Sequence, residues 1–451
     1  MAAPKPERPV TVALHQRIAD RTARVGVVGL GYVGLPLAVE FARAGFSVIG
    51  IDVDQQKCDA INRGESTTPD VSAGDVSELT EAGTLTAVSD LAMAPQLDTI
   101  NICVPTPLRK TRDPDLSYVL QAARAVKAHL RPGMLVILES TTYPGATEEI
   151  VKPILEETGL TAGTDFFLAF SPERVDPGNR RWTTRNIPKV VGGLTSECSV
   201  LAEALYATCI SQVVRVSSPR TAEMTKLLEN TFRAVNIGLV NELAILCDRI
   251  GIDVWEVIGA ASTKPFGFMP FYPGPGLGGH CIPVDPLYLS WKVRQVGFEA
   301  RFIDLASQIN GLMPSHVVEK VTDALNDHGK AVRGAGILVM GVAYKPEVGD
   351  VRESPALDVI ALLLEKVANV TYHDPFVPSI DAAQQGGELA MTCVAFNRER
   401  LLAADCVVVL THHHAFDALD LASAKLVVDT RNAIKTNGRH IFKLGMPNPG
   451  N

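Results

Sequence analysis

With 451 residues, 46% of them apolar and 20% charged, the chain is globular and long enough for two or three separate cores. Its formal net charge of −8 argues against nonspecific nucleic-acid binding, though not against an anionic small molecule held by local backbone dipoles. The eight cysteines contain no C-x-x-C pair, which counts against a zinc site, a dithiol redox motif or a disulfide framework and fits a reducing cytoplasm.

Residues 1–20 read as an N-terminal tail with no continuous apolar run of the kind a signal peptide needs. The longest uncharged stretch, residues 25–39, is shorter than a membrane span and is broken by Gly and Pro, so no membrane association is expected. That stretch opens with a short apolar strand, 24–29. It runs into Gly29-Leu-Gly31-Tyr32-Val33-Gly34, then a helix over 35–44 and a second strand ending on Asp52. A strand before the glycines, a helix after them and an acidic residue about 20 positions on are the context of a dinucleotide site. The glycines permit the tight turn, and the helix N-terminus presents N–H groups to a pyrophosphate. Asp52 would accept from ribose hydroxyls and repel a 2′-phosphate, favouring NAD over NADP. An ordinary glycine-rich turn is the plainer alternative.

Three more strands follow, each ending in polar residues: Pro105-Thr106-Pro107, then Glu139-Ser140-Thr141-Thr142-Tyr143-Pro144-Gly145, then Ser171-Pro172-Glu173-Arg174. An open parallel sheet binds ligands at the carboxyl ends of its strands, so these residues are site candidates; each serves equally as a turn former. Over 221–250 the pattern changes to a long helix, with Leu227, Leu228, Phe232, Val235, Leu239, Leu243, Leu246 and Ile250 at helical spacing. Lys226 and Asn230 share one face of it, one turn apart. The apolar flanks predict a largely buried helix, in which a Lys needs a partner or a task; a solvated Lys–Asn pair is the alternative. Too many positions are apolar for packing on one side only, which predicts a homo-oligomer, a dimer or higher.

Residues 252–311 read as helical around an irregular loop, with Trp255 and Trp291 packing there. The loop, Gly274-Pro-Gly276-Leu-Gly278-Gly-His-Cys281-Ile-Pro-Val-Asp285-Pro286, is too rich in Gly and Pro for helix or strand. Cys281 at its centre is a nucleophile candidate, with the Asp285 carboxylate nearby, or else a small buried residue in a tight turn. Beyond residue 333 a second α/β set begins. Strand 337–343 is followed by Tyr344-Lys345-Pro346, then Gly349-Asp-Val-Arg352-Glu-Ser-Pro355, a helix over 356–365, and strands at 370–374, 406–410 and, last, 426–431. His412, His413 and His414 point in different directions, so a surface loop is expected there and no metal. The fold class is α/β: two Rossmann-like domains joined by a long central helix. The expected parts are the tail 1–20, a dinucleotide-binding Rossmann-like domain 21–215, a central helical dimerisation domain 216–325 that carries the cysteine loop, and a C-terminal Rossmann-like domain 326–451.

Taken in order, the motifs at 28–36, 139–145, 226–230, 278–285 and 344–355 resemble the UDP-glucose/GDP-mannose dehydrogenase family over nearly the whole chain. The resemblance implies NAD as cofactor, a nucleotide sugar as small-molecule substrate, and oxidation of a C6 primary alcohol to the carboxylate with two NAD reduced per turnover. Polysaccharide biosynthesis is the setting it implies. It further implies Cys281 as nucleophile, Lys226 and Asn230 flanking the reacting carbon, Asp285 supporting water or proton transfer, and Glu173 as acid–base group. Lys345 and Arg431 match positions that meet the substrate or its diphosphate, and Arg174, Phe271, Tyr272, Gly276 and Gly278 are carried over as substrate-binding. Thr106, Ser140, Thr141 and Arg352 are carried over toward the cofactor. Many UDP-glucose enzymes have a second Glu where this chain has Pro177, with Asp176 the nearest carboxylate. Residues 263–283 look closest to the branch acting on UDP-N-acetylhexosamines. UDP-N-acetylglucosamine or UDP-N-acetylmannosamine is therefore ranked ahead of UDP-glucose. A non-catalytic binding protein and a simple two-electron dehydrogenase remain the alternatives.

Overall fold

The structure, a computed structural model, describes residues 9–68, 70–92, 97–109, 113–176, 178–179, 181–381 and 389–449. Pro177 and residues 1–8 lie outside them. The chain forms two compact units, Met1–Glu229 and Asn230–Asn451.

In the first unit the expected tail is, from Pro9 on, a helix: α1 (Pro9–Ala19) buries Leu14 and Ile18 in the core. Then come β1 (Arg24–Val28), α2 (Gly34–Arg43), β2 (Ser47–Ile51), α3 (Gln55–Asn62), α4 (Ala73–Glu81), β3 (Leu85–Val88), β4 (Thr99–Ile102), α5 (Ser117–Lys127) and β5 (Leu135–Leu138). A π-helical turn, Thr147–Val151, leads into α6 (Lys152–Glu156), followed by β6 (Phe167–Phe170), β7 (Lys189–Gly193), α7 (Ser196–Tyr206) and β8 (Val213–Val216). The sheet order is β3-β2-β1-β4-β5-β6-β7-β8. Its first six positions are the 3-2-1-4-5-6 doubly wound order, with the crevice between β1 and β4 at the switch point. β7 then pairs antiparallel to β6. Strands β4, β5 and β6 are buried along their whole length, which is why they read as continuous apolar runs.

β7 escaped the pattern because it is Lys-Val-Val-Gly-Gly. A Cβ on Gly192 would lie 2.1 Å from the Ser218 carbonyl oxygen, and one on Gly193 2.2 Å from the Ser199 nitrogen, so backbone proximity dictates those glycines. β3 and β8 are four-residue strands with partly exposed faces.

Helix α8 (Pro219–Ile250) runs on into the second unit. It is less buried than its sequence suggests: Leu228, Leu239 and Ile250 are 59%, 52% and 56% exposed. Together with Phe232, Leu243 and Leu246 they form one stripe along it. The second unit continues with α9 (Val254–Ala261), α10 (Asp285–Arg294) and α11 (Arg301–Asp327). Gly238 of α8 sits against Ala306 of α11, where a Cβ would be 3.1 Å from the Ala306 Cα, so this glycine sets a close helix crossing. Then come β9 (Gly336–Met340), α12 (Pro355–Glu365), β10 (Asn369–His373), the short pair β11 (Ser379–Ile380) and β12 (Met391–Thr392), and α13 (Arg398–Ala403). The last strands are β13 (Cys406–Val409), β14 (Val427–Asp429) and β15 (Ile441–Lys443), so β14 is not the last, as expected, but the penultimate. The sheet is parallel, β10-β9-β13-β14-β15, the other doubly wound order, 2-1-3-4-5.

The three histidines are not a surface loop throughout. His413 is fully buried: its Nε2 is 3.1 Å from Asp374 Oδ2, and its Nδ1 accepts the Glu347 N–H at 3.0 Å. A buried imidazole survives because both ring nitrogens are satisfied. Among the described residues no His, Cys, Asp and Glu are grouped so as to hold a metal, and no helix is long and apolar enough to cross a membrane.

Candidate active site

Several of the residues predicted from sequence lie at the carboxyl ends of strands within their own unit, and others lie on α8 and in the loop before α10. In the first unit, Gly29 follows β1 with φ of +93°, and a Cβ there would be 2.7 Å from the Cys103 carbonyl oxygen at the end of β4. A Cβ on Gly34 would be 1.7 Å from the Gly29 oxygen. Those two glycines make the crossing of turn and helix possible. Gly31 differs: nothing lies within 4 Å of a Cβ built on it. The turn is therefore closed on its protein side and open at Gly31, beside the start of α2. That is the shape a pyrophosphate needs to approach backbone N–H groups, and it fits NAD. Tyr32 and Val33 lie in the same turn.

Asp52, at the end of β2, accepts from the Leu30 N–H at 2.8 Å, the Asp54 N–H at 3.0 Å and Lys57 Nζ at 2.9 Å. Burial by itself would raise its carboxyl, but Lys57 and the two backbone donors outweigh burial and hold it below the ordinary range. Lys57 was not visible as a site residue; it lies five positions on, on α3, facing the strand end. Ser140 is buried and donates to the Val104 carbonyl at 2.7 Å, tying the ends of β4 and β5 together. Thr106 and Thr141, on those same two loops, are half-exposed.

Glu173 follows β6. Its Oε1 accepts the N–H groups of Arg174 and Val175, each at 2.7 Å, and its Oε2 faces Lys189 Nζ at 3.3 Å. Burial pushes its carboxyl up; Lys189, the two N–H groups and Lys226 outweigh that and leave it below the ordinary value. Arg174 turns away, to Glu229 at 2.6 Å and the Pro188 carbonyl at 2.7 Å. Lys226 itself is buried on α8.

In the second unit Asn230, on the next turn of α8, donates to Asp285 Oδ2 at 2.5 Å, and the Asp285 N–H donates to the Cys281 carbonyl at 2.8 Å. Cys281 thus ends the glycine loop on the turn that starts α10, and it is half-exposed, unlike the buried Cys58, Cys103, Cys198, Cys247 and Cys406. The glycines of the loop are spent on contacts. A Cβ on Gly274 would strike the Arg431 guanidinium at 2.5 Å, one on Gly278 the Tyr344 Cβ at 2.7 Å, and one on Gly276 the Pro355 Cβ at 3.0 Å. The Gly279 N–H donates to the Arg352 carbonyl at 3.1 Å. The loop is so brought onto the Tyr344-Lys345-Pro346 and 349–355 motifs, remote in sequence. Asn241 of α8, which carried no signal beyond being polar among apolar residues, accepts the Gly274 N–H at 3.0 Å and is held by Asn310 at 2.8 Å.

Arg431 follows β14 and donates through Nε to the Leu410 carbonyl at 2.7 Å. Burial brings its guanidinium down to about 10, which leaves it a cation at neutral pH. Lys345 lies 5.7 Å from the ring centre of Tyr344, Phe271 packs edge-on against Phe232, and Tyr272 stacks on Trp255. Arg352 pairs with Asp350 at 2.6 Å.

Two doubly wound sheets and a glycine turn shaped for a dinucleotide define the frame of an NAD-dependent dehydrogenase. The comparisons agree. Models of the UDP-glucose/GDP-mannose dehydrogenase family match its NAD binding domain at residues 23–210, its central domain at 220–311 and its UDP binding domain at 338–436. The chain belongs to this family. It is 40% identical over 366 residues to a UDP-N-acetyl-D-glucosamine 6-dehydrogenase of Pseudomonas aeruginosa, covering 81% of this chain and 85% of the relative. It is 38% identical over 422 residues to a UDP-N-acetyl-D-mannosamine dehydrogenase of Salmonella typhimurium, covering 90% and 98%. The solved structure of a UDP-D-ManNAc dehydrogenase from Pyrococcus horikoshii superposes with a TM-score of 0.85 at 34% identity, covering 94% of this chain and 99% of that one.

Proposed function

We propose that the protein oxidises C6 of a UDP-N-acetylhexosamine, UDP-N-acetylglucosamine or UDP-N-acetylmannosamine ahead of UDP-glucose, to the uronic acid through a covalent adduct on Cys281. The observation that carries the reading is the Cys281–Asp285–Asn230 arrangement. It sets a partly exposed thiol on the turn that begins with the Asp285 N–H bonded to the Cys281 carbonyl, while the Asp285 carboxylate holds the Asn230 amide, and a two-electron dehydrogenase has no need of such a thiol.

Gly29, Gly31, Gly34 and Asp52 would hold NAD, which would supply the hydride acceptor, one NAD for each of the two oxidations, the accompanying protons passing to water. The first oxidation turns the alcohol into an aldehyde. The Cys281 thiolate then adds to the aldehyde carbon, forming a C–S bond and a thiohemiacetal, and the second oxidation makes this a thioester. Lys226 and Asn230, one turn apart on α8, steady the oxygen of the reacting carbon as it gains charge. Glu173 takes a proton from water, whose oxygen attacks the thioester. The C–S bond breaks, thiolate leaves and the carboxylate is released. Asp285 keeps Asn230 aimed. Lys345 and the Arg431 cation hold the diphosphate, with Phe271, Tyr272, Gly276, Gly278 and Arg174 shaping the substrate's surroundings. Thr106, Ser140, Thr141 and Arg352 complete the cofactor side.

In this reading 21–215 binds NAD, 216–325 supplies the central helix and catalytic loop, and 326–451 holds the UDP-sugar. The protein is a homo-oligomer through the α8 stripe, works in the cytoplasm and supplies polysaccharide synthesis. The test is NADH formation with UDP-N-acetylglucosamine, UDP-N-acetylmannosamine and UDP-glucose. Two NADH per uronate support the reading, and one per sugar points to a two-electron dehydrogenase. Sugar binding without NADH points to a binding protein, and a strong preference for UDP-glucose reverses the substrate ranking alone.

A further inference from the structure

Behind Glu173 lies a buried polar cluster that the chemistry above does not use. Lys189, the first residue of β7, is 4% exposed, and Glu139, at the end of β5, is 1% exposed. Lys189 Nζ lies 2.6 Å from Glu139 Oε2 and 3.3 Å from Glu173 Oε2. The other Glu139 oxygen accepts from Asn101 Nδ2 at 2.9 Å and from the Tyr206 hydroxyl at 2.5 Å. Lys189 also lies 5.1 Å from the centre of the Tyr206 ring, which stacks on Phe41 of α2. One buried cation is thus shared by two carboxylates, unequally.

The inequality is informative. Glu139 has both oxygens occupied by three donors and nothing left to give. Glu173 has one oxygen saturated by backbone N–H groups, while the other meets Lys189 alone, at the longer distance. Here Glu139 fixes the cation at 2.6 Å, and the cation reaches at 3.3 Å the Glu173 oxygen that no backbone N–H occupies.

We infer that Lys189, anchored by Glu139, is the positioning residue of Glu173: it aims Oε2 and keeps it a carboxylate until a proton is delivered. This rests on the reading of Glu173 as the acid–base group. The ionisable groups acting on Glu173 are Lys189 from β7, Lys226 from α8 and Cys103 after β4, with Glu139 from β5 and Tyr206 from α7 behind Lys189 and Arg174 committed to Glu229. Burial and Glu139 raise the Tyr206 and Cys103 protons well out of the working range, so neither competes for the proton. Glu139 and Lys189 therefore set the lower pH limit of the reaction, with opposite signs.

The experiment is the pH profile of kcat and kcat/KM with NAD and the preferred UDP-sugar for single variants of this cluster. Glu173→Gln removes the acidic limb and about 100-fold or more of kcat; if it kept the wild-type rate and profile, the acid–base role of Glu173 would be wrong, whatever Lys189 does. With that role established, Lys189→Met moves the acidic limb up by about one pH unit or more, and Lys189→Arg restores it. Glu139→Gln moves the limb down, because the Lys189 charge is then felt by Glu173 alone. KM for the sugar stays within about threefold of wild type in these variants, since neither residue is placed on substrate. If Lys189→Met does not fold, Glu139→Gln and the double variant Glu139→Gln/Lys189→Met, which buries no lone ion, still decide the matter. The double variant places the limb between those of the two single variants, since the two charges it removes act on Glu173 with opposite signs. Limbs that stay put while kcat falls, or that move the same way in Lys189→Met and Glu139→Gln, overturn the inference and leave the cluster a structural support.

Discussion

The Asn230 amide and the Asp285 carboxylate meet at 2.5 Å, both buried, across the 55 residues that separate α8 from the start of α10. This one bond ties the loop that ends in Cys281 to the part of α8 in the same unit. Replacing Asp285 by Ala leaves the Asn230 N–H groups short of an acceptor, at a cost of about 1–3 kcal/mol. Asp285→Asn keeps an oxygen acceptor and loses less. Denaturant unfolding of the two variants beside wild type should show that order, and kcat should fall in both.

Cys281→Ser is expected to bind the sugar and carry out the first oxidation but stall before the thioester, because a Ser hydroxyl has no anion comparable to thiolate at neutral pH. Mass spectrometry after incubation with NAD and sugar should find aldehyde-level product or stalled adduct and little uronic acid. Uronate at the wild-type rate would remove Cys281 from the mechanism.

The glycines of the first turn separate fold from ligand. Gly34→Ala forces a Cβ to within 1.7 Å of the Gly29 oxygen and should cost about 1–3 kcal/mol or more in stability. Gly31→Val meets no protein atom near its Cβ, so the melting temperature should barely move while NAD affinity falls. Calorimetry of each variant with and without NAD checks both halves. Equal affinity in Gly31→Val would move the pyrophosphate elsewhere.

Asp374 links stability to acid. Burial by itself would raise its carboxyl, but His413 and the N–H groups of Val342 and Phe376 hold it below 3.8. A depressed carboxyl contributes stability that is fully present above about pH 4 and is lost as pH falls through the lower native value. Asp374→Asn should thus be less stable than wild type at neutral pH. The gap in urea midpoints should close on acidification below about pH 4.

The stripe Leu228, Phe232, Leu239, Leu243, Leu246 and Ile250 sets six exposed apolar side chains along one helix, which is the ground for the proposed homo-oligomer. Leu239→Asp/Leu243→Asp should shift that proposed oligomer toward monomer in light scattering. An unchanged mass would place the contact away from α8.

What could be read directly was whatever repeats locally or depends on short-range chemistry. The turn after β1 needs its glycines wherever it occurs, β4 to β6 are apolar because both faces are covered, and α8 declares its period over 32 residues. The cysteine loop was legible for the same reason, since its Gly and Pro content forbids regular structure. Elements shaped by distant partners were not. β7 looks like a poor strand until Ser218 and Ser199 crowd its glycines, and His413 looks like a surface residue until Asp374 and Glu347 enclose it. Lys189 is simply a Lys before two valines, and 50 residues separate it from Glu139. Burial and pairing of charge depend on which strand ends the sheet order brings together, and no local window of sequence contains that. The sequence by itself therefore determined the α/β fold class, the glycine turn after β1 and the irregular loop around Cys281, because these follow from backbone freedom and periodicity. Only the tertiary structure decided which carboxylate shares a buried cation and which loop glycine makes room for Arg431, because those are facts of distance in space.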